Sequence, residues 1–98
     1  MNQYMVEIFL PHTLTQEFMS LIPAQRAVVN RLVHEGTIRS YTLALNRSRL
    51  WVVMTAKDQE EVNTILDEFP IMPHAESESH ELMFHDMASH ELPRLSLN

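Results

Sequence analysis

Apolar residues alternate along the first segment, with Tyr4, Val6, Ile8 and Leu10 on one side and Met5 and Phe9 flanking Glu7 on the other. A strand with apolar groups on both faces belongs inside a sheet. Pro11 has no amide proton for a ladder and closes the strand. The period then becomes helical. Leu14, Phe18, Leu21, Ile22, Val29, Leu32 and Val33 recur on one stripe, and the stripe runs on across Pro23. Thr13 and Gln16 have the spacing of a capping box. The pattern predicts one helix over about residues 14–34, kinked where Pro23 removes an internal hydrogen bond, with two helices meeting at Pro23 as the alternative.

Gly36, the sole glycine, follows that helix, where a left-handed residue commonly ends one. Residues 37–45 and 49–56 are rich in β-branched and aromatic side chains, and Asn46-Arg47-Ser48 between them reads as a hairpin turn. Asp58 and Glu61 repeat the capping signal, and Val62, Ile65, Leu66 and Phe69 give a second helix one apolar face over about residues 59–68. Pro70 and Pro73 prevent its continuation, so a last strand is expected from about His74 to Phe84 or His85. The order βαββαβ is the split βαβ arrangement of ferredoxin-like domains, an α+β fold with two helices on one face of a four-stranded antiparallel sheet. Residues 1–86 make that domain, and 87–98 form a tail, either frayed or lying on a partner subunit.

In the third segment Leu50, Val52 and Met54 face one side and Trp51 and Val53 the other, so the uncovered sheet face is also apolar. A twofold homodimer with sheets face to face would cover it, with higher oligomers open.

Composition narrows the function classes. A chain of 98 residues without Cys excludes disulfides and thiolate chemistry, and no apolar run is long enough to span a bilayer. A cytoplasmic protein with no membrane partner is expected. The net charge of -6 is uneven: five Arg face three Glu in residues 1–50, whereas ten acids face Lys57 and Arg94 in the remainder. No basic stripe exists for a phosphate backbone, so no nucleic-acid partner is expected. The group Arg39, Arg47 and Arg49 is adequate for one small carboxylate, although solvated strand ends are the favoured reading of Arg47 and Arg49.

The segment Glu35-Gly36-Thr37-Ile38-Arg39, the hairpin and second helix after it, and the string Phe69-Pro70-Ile71-Met72-Pro73 together resemble the muconolactone isomerase family, most clearly from Arg31 to Leu82. The resemblance implies a dimeric α+β barrel, sometimes built into decamers, with a pocket near the dimer interface. It also implies an enzyme of aromatic catabolism that moves a double bond in an unsaturated lactone by proton abstraction and return. Counted back from the Glu-Gly-Thr segment, the acidic residue expected to transfer the proton falls on Gln25. An amide cannot take up that proton at neutral pH.

Two other groups are candidates for catalysis. Glu7 lies mid-strand on the less apolar face assigned to the dimer interior, where burial would make it a proton carrier near neutrality, and a solvated or hydrogen-bonded strand Glu is the plainer alternative. His74 follows the Phe-Pro-Ile-Met-Pro string at the family's pocket-lining position, or is a surface imidazole. Arg39 matches the family's Arg and could neutralise a substrate carboxylate, with Tyr41 two residues on along the same face and Gln25 orienting the substrate by hydrogen bond.

The leading expectation is a muconolactone-isomerase-like protein acting on a small unsaturated lactone or related anion without a cofactor. A non-catalytic binding or assembly module on the same barrel is the alternative. A metal- or haem-dependent member is a third reading, resting on six His and on His74, Glu76, Glu78 and His80 at period two, with His85 and His90 as further donors. A polar edge strand explains that row without a metal, so no metal ligand is assigned.

Overall fold

The computed structural model describes residues 1–88. The tail expected over 87–98 therefore lies, from residue 89, outside the described residues, as does His90. Four strands, β1 (Asn2–Phe9), β2 (Ile38–Leu43), β3 (Arg49–Ala56) and β4 (Glu76–Leu82), form one sheet in the order β2-β3-β1-β4. Every pairing is antiparallel, so the two apolar strands β1 and β3 occupy the centre and polar β4 an edge, as their patterns require.

Three helices cover one face: α1 (Gln16–Ser20), α2 (Ile22–His34) and α3 (Gln59–Leu66). The core between the layers combines Tyr4, Val6 and Ile8 of β1 with Leu50, Val52, Met54 and Ala56 of β3 and the buried faces of the helices.

The single kinked helix expected over 14–34 is instead two helices meeting at Leu21. Leu21 N–H bonds to Phe18 O, while Gln25 N–H bonds to Leu21 O and starts a new helix. Pro23 falls in the first turn of α2, where a missing amide proton costs nothing and φ is already helical. It therefore starts a helix rather than kinking one. The first cap also differs from expectation. Thr15, not Thr13, accepts from Phe18 N–H at 3.1 Å. The second cap is as expected, with Asp58 accepting from Glu61 N–H at 2.9 Å and Glu61 Oε1 accepting from Lys57 N–H.

Gly36, at φ 84°, ends α2 in a Schellman turn: Gly36 N–H bonds to Val33 O and Thr37 N–H to Leu32 O. β4 begins at Glu76, two residues later than expected, because Pro73 and His74 lie in a 3-10 turn (Met72–His74). There His74 N–H bonds to Ile71 O and Ala75 N–H to Met72 O, so neither amide is available to a ladder.

Candidate functional site

Sheet register decides which side chains meet. Ile38 pairs with Met54 and Tyr41 with Val52, both core-facing partners, so Ile38 and Tyr41 share the helix-covered face. An extra residue at Arg39 shifts the register between Ile38 and Ser40. Such a bulge breaks the alternation of a strand. The expectation that Arg39 and Tyr41 share a face is therefore incorrect, and Arg39 is exposed outside the cavity described next.

Between the α1–α2 corner and the sheet lies a cavity of about 290 Å³. That is near the lower limit for small-molecule sites, and suits a ligand of about one ring. Its walls are mostly apolar, from Leu10 and Leu50 on the sheet side to Leu14, Phe18 and Ile22 on the helical side and Ile71 below. The cavity lies where the helical layer is interrupted at Leu21, with Phe18 and Met19 of α1 and Ile22, Gln25 and Arg26 of α2 on its wall.

Four polar side chains line it: Gln25, Arg26, Tyr41 and Arg47. Gln25 is 3% exposed and is the buried polar side chain among the described residues. Ile71 N–H donates to Gln25 Oε1 at 3.4 Å, and Gln25 Nε2–H donates to the Tyr41 hydroxyl oxygen at 3.3 Å. The amide thus ties α2 both to the Phe-Pro-Ile-Met-Pro segment and to β2. Burial pushes the Tyr41 phenol above its ordinary value of 10.0, while the Gln25 hydrogen bond and the Arg26 charge act the other way.

Arg26 follows Gln25 on α2. Arg47 sits in the hairpin turn at φ 61°, a left-handed conformation uncommon outside glycine, within a turn where Asn46 Oδ1 accepts from Ser48 N–H at 3.0 Å. Among the described residues neither guanidinium is within 4.0 Å of a carboxylate. Two cations unpaired among the described residues, beside an apolar cavity in a chain of net charge -6, are a local inversion of sign.

The other sequence candidates lie elsewhere. Glu7 points to the opposite, open face of the sheet, where it is ion-paired with Arg49 at 2.7 Å. Arg49 in turn stacks on the Phe9 ring, 5.2 Å from its centroid. This is the hydrogen-bonded strand position offered as the plainer alternative for Glu7. His74 packs edge-on against Phe18, ring centroids 6.0 Å apart, and lines a separate groove with His12 and Glu76. Phe18 also lines the cavity, whereas His74 does not.

Glu7, Gln25 and His74 therefore do not converge. Nor do His74, Glu76, Glu78 and His80 form one row, since His74 belongs to the turn; among the described residues no three His, Asp or Glu side chains cluster closely enough to hold a metal ion. Arg26 was missed because nothing marks one helical Arg among others. Arg47 was undervalued because its left-handed backbone is invisible in a turn that lacks glycine.

Among the described residues the cavity lining includes no carboxylate, imidazole or lysine. Chemically it can desolvate a small apolar body, offer a phenol for hydrogen bonding and neutralise an anionic group with guanidinium.

The solved structures include a likeness to the crystal structure of muconolactone isomerase, with a TM-score of 0.68 and 21% sequence identity over 90% of this chain and 95% of that one. Comparison with curated protein sequences gives no match. At that identity the structural likeness speaks for the α+β fold alone. The family model for muconolactone delta-isomerase, however, matches residues 3–88, nearly the whole chain including every element that builds the cavity, and the chain belongs to that family.

Proposed function

We propose that this chain is a binding member of the muconolactone isomerase family, holding a small unsaturated lactone or related carboxylate between the α1–α2 corner and the sheet. The ligand carboxylate lies against Arg26 and Arg47, its ring among Leu10, Phe18 and Leu50, and its second polar group at Tyr41. The observation that carries this reading is the cavity lining itself, cationic and apolar, with no side chain among the described residues that accepts a proton at neutral pH. Family membership supports the choice of ligand class, and Gln25, at the position where the resemblance expects the proton-transferring acid, supports binding without isomerisation.

The functional unit is read as a homodimer formed through the open sheet face, where Met5, Phe9 and Trp51 are half-buried and Val53 is buried. Sedimentation at micromolar concentration measures this, and a monomer refutes it.

The test of function pairs binding with turnover. Calorimetry with a carboxylated unsaturated lactone should show saturable binding that weakens about tenfold or more in Arg26→Ala and in Arg47→Ala. Double-bond migration followed by ultraviolet absorbance should be absent from wild type. Turnover by the wild type would overturn the binding-only reading and return the isomerase reading to first place, with His74, packed edge-on against Phe18, the base to substitute next.

A further inference from the structure

The cavity has a hydrogen-bond direction that follows from the donors and acceptors around Gln25. A backbone N–H only donates, so the Gln25 atom facing Ile71 N–H must be the carbonyl oxygen. The opposite atom is then the amide nitrogen, which carries no acceptor, and it faces Tyr41. Tyr41 must accept from it. The phenol's own proton therefore remains for the cavity, because among the described residues no other acceptor is bonded to that hydroxyl.

We infer that Gln25 is a positioning residue that makes Tyr41 a hydrogen-bond donor into the cavity, so that the site selects ligands whose inner end is a bare acceptor, such as a lactone or ketone carbonyl. This rests on reading the cavity as a ligand site. An alcohol of the same skeleton can accept from Tyr41 as well, but its own proton then points at Leu, Ile and Phe side chains and stays unpaired. A buried unpaired donor is the basis on which such sites discriminate.

A carboxyl in place of the amide separates this from a merely structural role. Protonated, it would accept from Ile71 N–H and donate to Tyr41 much as the amide does. Ionised, it would accept from both, Tyr41 would turn its proton away from the cavity, and the ligand preference would invert. The other charged groups on the cavity, Arg26 and Arg47, and the His74 imidazole against Phe18 are common to all variants and cancel in the comparison.

The experiment uses two neutral probes of one skeleton, cyclohexenone and cyclohexenol, titrated against the full chain by nuclear magnetic resonance across a range of pH. Wild type should prefer the ketone about tenfold at every pH, the equivalent of one unpaired donor. Gln25→Glu should keep that preference at low pH and lose or reverse it as the carboxyl ionises, and Tyr41→Phe should show none. Equal affinities in wild type, a preference that survives Tyr41→Phe, or a pH-independent Gln25→Glu each overturn the inference. If Gln25→Glu does not fold, Tyr41→Phe, which removes only a hydroxyl, decides it alone. If the carboxylated lactone binds and neither neutral probe does, the inference falls while the anion site stands; if the probes discriminate and the carboxylated lactone does not bind, the anion site falls instead.

Discussion

The two halves of this fold repeat one motif, strand, helix, strand, yet pack differently. In the second half, α3 is one capped helix whose Val62, Ile65 and Leu66 are all buried, and Phe69 behind it is 1% exposed. In the first half the helix is divided at Leu21, one of its buried positions is taken by Gln25, and a cavity remains beneath it. Both halves satisfy the same sheet. The difference contrasts a half packed without interruption with one that leaves a space and polar groups on its wall, as the proposed ligand site requires.

Emptying the regular half should have the largest effect. Phe69→Ala is expected to cost about 3–5 kcal/mol, measured by urea unfolding, because its neighbours cannot collapse into the void. Phe18→Ala should cost less, since that ring already borders open space. Equal losses would remove the contrast between the halves.

Next in size is the polar joint of the irregular half. Gln25→Leu strands Ile71 N–H in the core and should cost about 1–3 kcal/mol, whereas a surface change such as Gln59→Leu should cost far less. Caps come third. Asp58→Ala should lose about 1 kcal/mol and Thr15→Ala less, because the helix that Thr15 caps is only five residues long.

Smaller again is the Glu7–Arg49 pair on the open face. With Arg49 half-exposed, Arg49→Ala should change stability by about 1 kcal/mol or less. The last effect appears only at alkaline pH. The folded Tyr41 phenol holds its proton above the ordinary value of 10.0, so the unfolded chain releases that proton first, and the stability this contributes is intact below that pH and is lost as pH rises through the folded value. Tyr41→Phe should flatten that alkaline decline; an unchanged slope would show that the phenol is not held in the fold.

Much of the architecture could be read from periodicity, because strands with two apolar faces and helices with one have few places to go. Tyr4 to Leu10 announced a central strand, and Asp58 with Glu61 announced the start of α3. What could not be read were features fixed by backbone events one residue in size. Pro23 has the same chemistry whether it kinks a helix or starts one, and only the bonding of Leu21 distinguishes the two. The extra residue at Arg39 turns that side chain away from Tyr41, and sequence carries no mark of a bulge there. Of the candidate site, Gln25 and Tyr41 were nominated and are hydrogen-bonded to each other; Glu7 lies on the open face to which alternation assigned it but is ion-paired there, whereas His74 and Arg39 were nominated on positions that the 3-10 turn and the bulge rearranged.

Arg47 carries a last consequence. A left-handed seat costs a side chain about 1–2 kcal/mol that glycine does not incur, so folding alone would favour Gly at the tip of this hairpin. Arg47→Gly should therefore yield a hardier protein with a poorer grip on anions. On the proposed reading of the site, thermal endurance and recognition pull against each other at that one turn.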